Sequence, residues 1–225
     1  MPCGTPSFGV FNKYMIAYRA EEFDSNTPRA HPWTGTTENK NLKYINFIEY
    51  PEKIRTSLED WVTHSHEDFA EEFYQLLEWI NGDESVFESN DCAYTSPHKN
   101  TDHQFKFKKR CQGRLMILFR EHRVNCNDKA INWIFNRTME ELLDHDRDFR
   151  AAAIGFSFQD SVYMSLSPED KKGGLGWQVN FTFFAYGSSD AIVNRNMLRA
   201  IKNLRSALES VNKRAIDGEM FESIS

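Results

Sequence analysis

The feature that most constrains this chain is an unbroken apolar run, Leu115-Met116-Ile117-Leu118-Phe119, which ends abruptly in Arg120-Glu121-His122-Arg123. A short apolar run bounded by polar residues fits a strand buried on both faces, which commits the chain to a sheet. Just upstream, Phe105 and Phe107 alternate with Gln104, Lys106 and Lys108, the period of a half-buried strand. Gln112-Gly113 lies between the two and is a weak turn signal, so residues 102–123 are expected to form a hairpin. Polar residues at the exit of a buried strand sit where a rigid sheet can hold a reactive group at a pocket edge. Here the exit carries His122, Arg123 and Cys126.

Before this hairpin, residues 8–18 and 42–50 are β-rich, the second ended by Tyr50-Pro51 because the residue before proline is pushed to extended geometry. Residues 21–40, with Pro28, Pro32 and Gly35, read as a long loop in which His31-Pro32-Trp33 is either a loop anchor or a flap over a ligand. From Pro51 to Ile80 apolar residues recur every three or four positions, which predicts one or two helices ending at Asn81-Gly82. Residues 83–101 look irregular. Beyond the hairpin, residues 129–143 have one apolar helical face, with Asn127 or Asp128 as N-cap. Residues 151–163 and 177–186 read as strands, and a last helix starts after Gly187-Ser188-Ser189-Asp190 and frays from about 217. The sum is a single α+β domain over 1–225, a mainly antiparallel sheet packed with three main helices.

Composition narrows the function. The chain has 225 residues, 14% of them aromatic, enough for a sizeable core and for an aromatic-lined pocket. Its net charge is −6, and the one dense basic run, Lys106 to Arg110, reads as a solvated strand edge. Nucleic acid is therefore not the expected partner, since phosphate neutralisation needs a basic face. No apolar stretch approaches the roughly 20 residues of a membrane span. The first residues, MPCGTPSFG, do not form a charged-then-apolar leader. The four cysteines, Cys3, Cys92, Cys111 and Cys126, match no zinc spacing. The expectation is a cytoplasmic protein with reduced thiols that acts on a small molecule.

Three clusters compete with the strand exit for chemistry. His64-Ser65-His66-Glu67-Asp68 with Glu71 has metal-like composition, but there is no E-x-x-H pair, and acidic residues in a first helical turn are what the helix dipole favours. Gly173, Gly174 and Gly176 imitate a phosphate loop, yet they precede a strand rather than open a helix. Cys3 or Cys126, with His122, would suit a thiol nucleophile only if the thiol is activated.

Several segments resemble the YqcI/YcgG family: Pro2-Cys3, the run Glu72-Phe73-Tyr74-Gln75-Leu76-Leu77 with Asp83 after it, Phe105 to Arg123, and Gly174 to Phe184. Arg123 following His122 at once, and the basic C-terminal helix, depart from that pattern. The resemblance implies a haem-dependent oxygenase that hydroxylates an amino or guanidino nitrogen. It implies His122 as axial iron ligand, the metal-binding residue, with Arg123 or Arg120 pairing with a haem propionate. The other reading is a non-enzymatic interaction protein, using the basic face of the last helix and the 21–40 loop.

Overall fold

A computed structural model describes residues 16–19, 29–32, 44–57, 67–101, 106–146, 151–166 and 172–224. In chain order these form β1 (Ile16–Arg19), β2 (Arg29–His31), α1 (Lys53–Ser57), α2 (Glu67–Ile80), β3 (Phe87–Tyr94), β4 (His98–Lys99), β5 (Lys109–Phe119), a 3-10 turn (Val124–Cys126), α3 (Asp128–His145), β6 (Ala152–Tyr163), β7 (Gly174–Gly187), α4 (Asp190–Ile216) and α5 (Glu219–Ile224). The expected α+β single domain is what forms, with three long helices, α2, α3 and α4. The seven strands make one sheet in the order β1-β6-β7-β5-β3. β2 joins the outer edge of β6 and β4 the outer edge of β5. All pairings are antiparallel except those of β1 and β2, which run parallel to β6.

The apolar run does sit mid-sheet, but the two faces it meets differ. Leu115 pairs with Phe181, Ile117 with Val179, and Phe156 with Phe181. These side chains share a core with Leu76 and Ile80 of α2, Ile134 of α3, and Met197 and Leu204 of α4. On the opposite face Leu118 pairs with Glu88, and Met116 with Asn180, which in turn pairs with Ser157. Glu88, Asn90, Ser157, Gln178 and Asn180 are all buried on this second face. Side chains alternate across a strand, so one face took the apolar set and the other a polar row.

Four expectations are corrected. The hairpin is one continuous strand: β5 runs straight through Gln112-Gly113, and Gly113 is there because the Phe183 ring fills the space of a side chain. Phe105 lies outside the described residues, and Lys106 to Lys108 precede β5 without joining the sheet. Residues 44–50 are irregular and turn, not strand. Residues 83–101 contain β3 and β4. The tail beyond 217 forms α5 after Gly218, whose φ of 92° suits glycine, and Met220 packs into the core.

The helix boundaries follow their caps. Asn127 accepts a hydrogen bond from the Lys129 amide at α3, and Ser189 from the Ile192 amide at α4. Several basic residues of α4 pair with acidic or polar groups of the other helices and their ends, although Arg195, Arg199, Lys202 and Lys213 stay exposed. Arg199 binds Asp146 through two nitrogens, Arg205 reaches Glu72 and Gln75, and Arg214 reaches Glu141. These cations tie the helical layer together. No helix among the described residues is long and apolar enough to cross a membrane.

Candidate metal centre

Sheet curvature builds the site. β2 and β3 lie at opposite ends of the path β2-β6-β7-β5-β3. Four flat strand spacings of about 4.8 Å would hold them roughly 19 Å apart. Instead His31 of β2 touches Glu88 and Asn90 of β3, at 2.8 and 3.0 Å. The sheet therefore curls until its two edges meet over the polar face. A register shift in β3 between Ser89 and Asp91 adds to the bend, as bulges do. Into the same end comes His122, from the turn that follows β5.

Three ligand-type atoms converge there. Nε2 of His31 lies 2.8 Å from Oε1 of Glu88, and Nε2 of His122 lies 3.3 Å from the same oxygen. One ligating atom from each residue falls within 4.8 Å of the others. Both rings are fixed from behind at Nδ1: His122 against the Ser165 carbonyl at 2.7 Å, His31 against Oδ1 of Asn90 at 3.0 Å. A carbonyl oxygen only accepts, so each Nδ1 carries the donated hydrogen. In the neutral rings both Nε2 lone pairs then face a carboxylate oxygen. Only protons on the rings or a cation between the three groups satisfies that arrangement.

The electrostatics agree with a site built for positive charge. Burial works to raise the Glu88 carboxyl, but the hydrogen bonds from His122 and His31 outweigh it and hold the group down at about 2. Burial works to lower His122, while Glu88 and the Ser165 carbonyl win and push it up. Tyr44 and Tyr163 flank the rings, Tyr44 with centroid 5.5 Å from His31 and Tyr163 with centroid 5.2 Å from His122. Burial raises both phenols well above their ordinary range, so they are neutral walls. The His122 side chain keeps 19% of its surface, against 5% for His31, so access is from the His122 side.

Of the residues expected to act, His122 is in the cluster and the two arginines are not. Arg120 gives its guanidinium to the carbonyls of Ile80, Gly82 and Phe87. Arg123 is exposed just before the 3-10 turn. An axial haem iron on His122 would lie about 2 Å beyond Nε2, by the metal–nitrogen distance of imidazole ligands. The Glu88 carboxylate and the His31 ring already stand on that side, the ring with its centroid 4.9 Å from that of His122. The three ligand atoms stand close enough together that they could hold a single ion.

The rival clusters fare as follows. His64 and His66 lie outside the described residues, as does Cys3. Glu71 is exposed and paired with Arg55. Sγ of Cys126 points at the His122 backbone carbonyl, 3.8 Å away, and burial raises its thiol. Both ring nitrogens of His122 are engaged elsewhere. His31 had been visible only as part of a loop motif, and Glu88 sits in a stretch with no apolar period.

Comparison with protein-family models, with curated proteins and with solved structures returned no match. What fold and site define is therefore a class: a curled α+β sheet carrying a two-histidine, one-carboxylate cluster at the meeting of its edges.

Proposed function

We propose that the protein is a metalloenzyme in which His31, Glu88 and His122 hold one divalent transition-metal ion, and that the ion serves to oxidise a small metabolite. The carrying observation is the convergence of two Nε2 atoms, each ring fixed at Nδ1, on a single carboxylate oxygen. Two imidazoles and a carboxylate with positions left open are the donor set of non-haem iron(II) oxygenases, in which the ion supplies the oxygen chemistry. The protein supplies neutral imidazoles, one negative charge, aromatic walls and an opening on the His122 side. The nature of the substrate, a small molecule with an amino or guanidino nitrogen, rests on the YqcI/YcgG resemblance.

The test is anaerobic loading with Fe(II) or Co(II), followed by metal analysis. One ion per chain is expected, lost in His31→Ala, Glu88→Gln and His122→Ala. Equal loading of wild type and all three variants would overturn the centre. A haemin-reconstituted protein with a Soret band that His122→Ala abolishes would restore the haem reading. Oxygen uptake by the Fe(II) form, with a panel of small amines and guanidines, tests the reaction. No uptake with any of them would remove the oxygenase reading while leaving the ion in place.

A further inference from the structure

Behind His31 lies a chain of buried groups that the metal reading does not by itself require. Asn90 accepts from His31 through Oδ1 and donates through Nδ2 to Oε1 of Gln178, at 2.7 Å. Gln178 donates through Nε2 to Sδ of Met116, at 3.6 Å. Asn90, Gln178 and Met116 are all nearly inaccessible to solvent.

The direction of this chain is fixed at its far end. A thioether can only accept. Gln178 must therefore turn its NH2 to Met116 and its oxygen to Asn90. Asn90 must then turn its NH2 to Gln178 and its oxygen to His31. His31 is left with hydrogen on Nδ1 and, when neutral, a lone pair on Nε2, the atom 2.8 Å from Glu88. We propose that Asn90 and Gln178 are positioning residues, which hold His31 in the Nδ1–H tautomer so that Nε2 is presented as a ligand. The opposite tautomer would aim a hydrogen at the ion. His122 has no such side-chain relay; its Nδ1 is held by a backbone carbonyl, and so its tautomer is set by the fold. The two histidines thus differ: one can be detuned by a side-chain substitution and the other cannot.

This inference rests on the metal reading for its consequence, though not for its geometry, and the test separates the two. Long-range 1H–15N correlation spectra of the metal-free Glu88→Ala protein at high pH, in which no carboxylate competes for hydrogen at Nε2, report which ring nitrogen carries hydrogen, with His31→Gln to assign the signal. In that background His31 is expected as Nδ1–H with Asn90 in place and with Asn90→Asp, which keeps an acceptor, and as Nε2–H or a mixture with Asn90→Leu. Co(II) affinity is expected to fall about 10–100-fold in Asn90→Leu, the usual effect of losing such a partner. It should stay within a few-fold of wild type in Asn90→Asp. Asn180→Ala, in the same buried row but bonded to Ser157, should leave affinity unchanged. Gln178→Leu cuts the chain one link further back and should give a smaller loss, and it decides the matter if Asn90→Leu does not fold. An Nε2–H tautomer in Glu88→Ala with Asn90 in place, or full affinity in both Asn90→Leu and Gln178→Leu, overturns the proposal. Absence of Co(II) binding by wild type overturns the metal reading instead, and the tautomer spectrum still decides the relay.

Discussion

His31 and His122 meet edge to face, their ring centroids 4.9 Å apart and their planes at 85°. Neither ring stacks on the other, so both Nε2 atoms are free to point at one carboxylate oxygen. Without a metal ion that geometry is held by charge. The Glu88 carboxyl falls from an ordinary 4.5 to about 2 in the folded chain. A group lowered in this way stabilises the fold above its unfolded value, and the stabilisation is lost as pH falls from about 4.5 toward 2. His122 is raised. Its contribution is complete below the ordinary histidine value of about 6.5 and is lost as pH rises through the folded value. The metal-free protein should therefore be most stable in the mildly acidic range between them. Glu88→Gln should flatten that maximum, at a cost of about 3 kcal/mol near its top, by the usual 1.4 kcal/mol per unit. Urea unfolding in chelator from pH 3 to 9 measures it. Parallel curves for wild type and variant would contradict the prediction.

Arg120 should prove to be a staple, not a cofactor ligand. Its guanidinium joins the C-terminal end of α2 to the start of β3 through three carbonyls, the shortest contact being 2.5 Å to Gly82. Hydrogen bonds from a charged donor contribute more than neutral ones. Arg120→Ala should lower the unfolding free energy by about 2–3 kcal/mol. Arg120→Lys should recover little of this, because an ammonium cannot fork across three acceptors. Metal stoichiometry should stay at one. Loss of cofactor binding with unchanged stability would show that the side chain has the other role.

How much of this was legible beforehand depends on which face of the sheet a strand turns inward. α3 and α4 bury apolar residues at helical intervals, and β6 and β7 are rich in apolar and aromatic residues between turn signals, so their spans were readable. β3 was not. Its residues over the polar face are Glu88 and Asn90, so Phe87 to Tyr94 shows no apolar alternation, and the stretch reads as irregular. β2 is only three residues long, and its pairing to β6 is a tertiary fact. The site shares this asymmetry. His122 stood out because it ends a buried strand. His31 and Glu88 become its partners only because the sheet curls, and nothing in the local spacing encodes a curl.

Cys126 should be unreactive despite its place four residues after His122. Its sulfur donates to the His122 carbonyl, 3.8 Å away, and burial raises the thiol instead of lowering it. The thiolate is the nucleophile, so a raised thiol is a slow one. Alkylation by iodoacetamide at neutral pH should be no faster at Cys126 than at a small unperturbed thiol. Cys111 and Cys92, pushed up to about 12 by burial, should be slower still. Cys126→Ser should keep its metal. Rapid alkylation of Cys126, protected by His122→Ala, would indicate a thiol–imidazole pair in place of the metal centre.

Gly113 tests the continuity of β5 directly. The residue pairs with Phe183 across the β5–β7 ladder. A Cβ built on it would lie 2.2 Å from Cε2 and 2.5 Å from Cζ of that ring, and 3.0 Å from the Ala93 carbonyl oxygen. The ring has nowhere to go: Phe183 is fully buried and packs against Phe73. Overpacking of this kind usually costs about 1–3 kcal/mol, and Gly113→Ala should lose about that much stability. The diagnostic is the double variant. Phe183→Leu removes the ring atoms that clash, so Gly113→Ala should cost less in that background than in wild type. The two changes should therefore couple, as contacting residues do. If Gly113 instead served a turn, its substitution would act through the backbone, and the two costs would simply add. Urea denaturation of the four proteins of this cycle distinguishes the cases, with additive costs counting against the continuous strand.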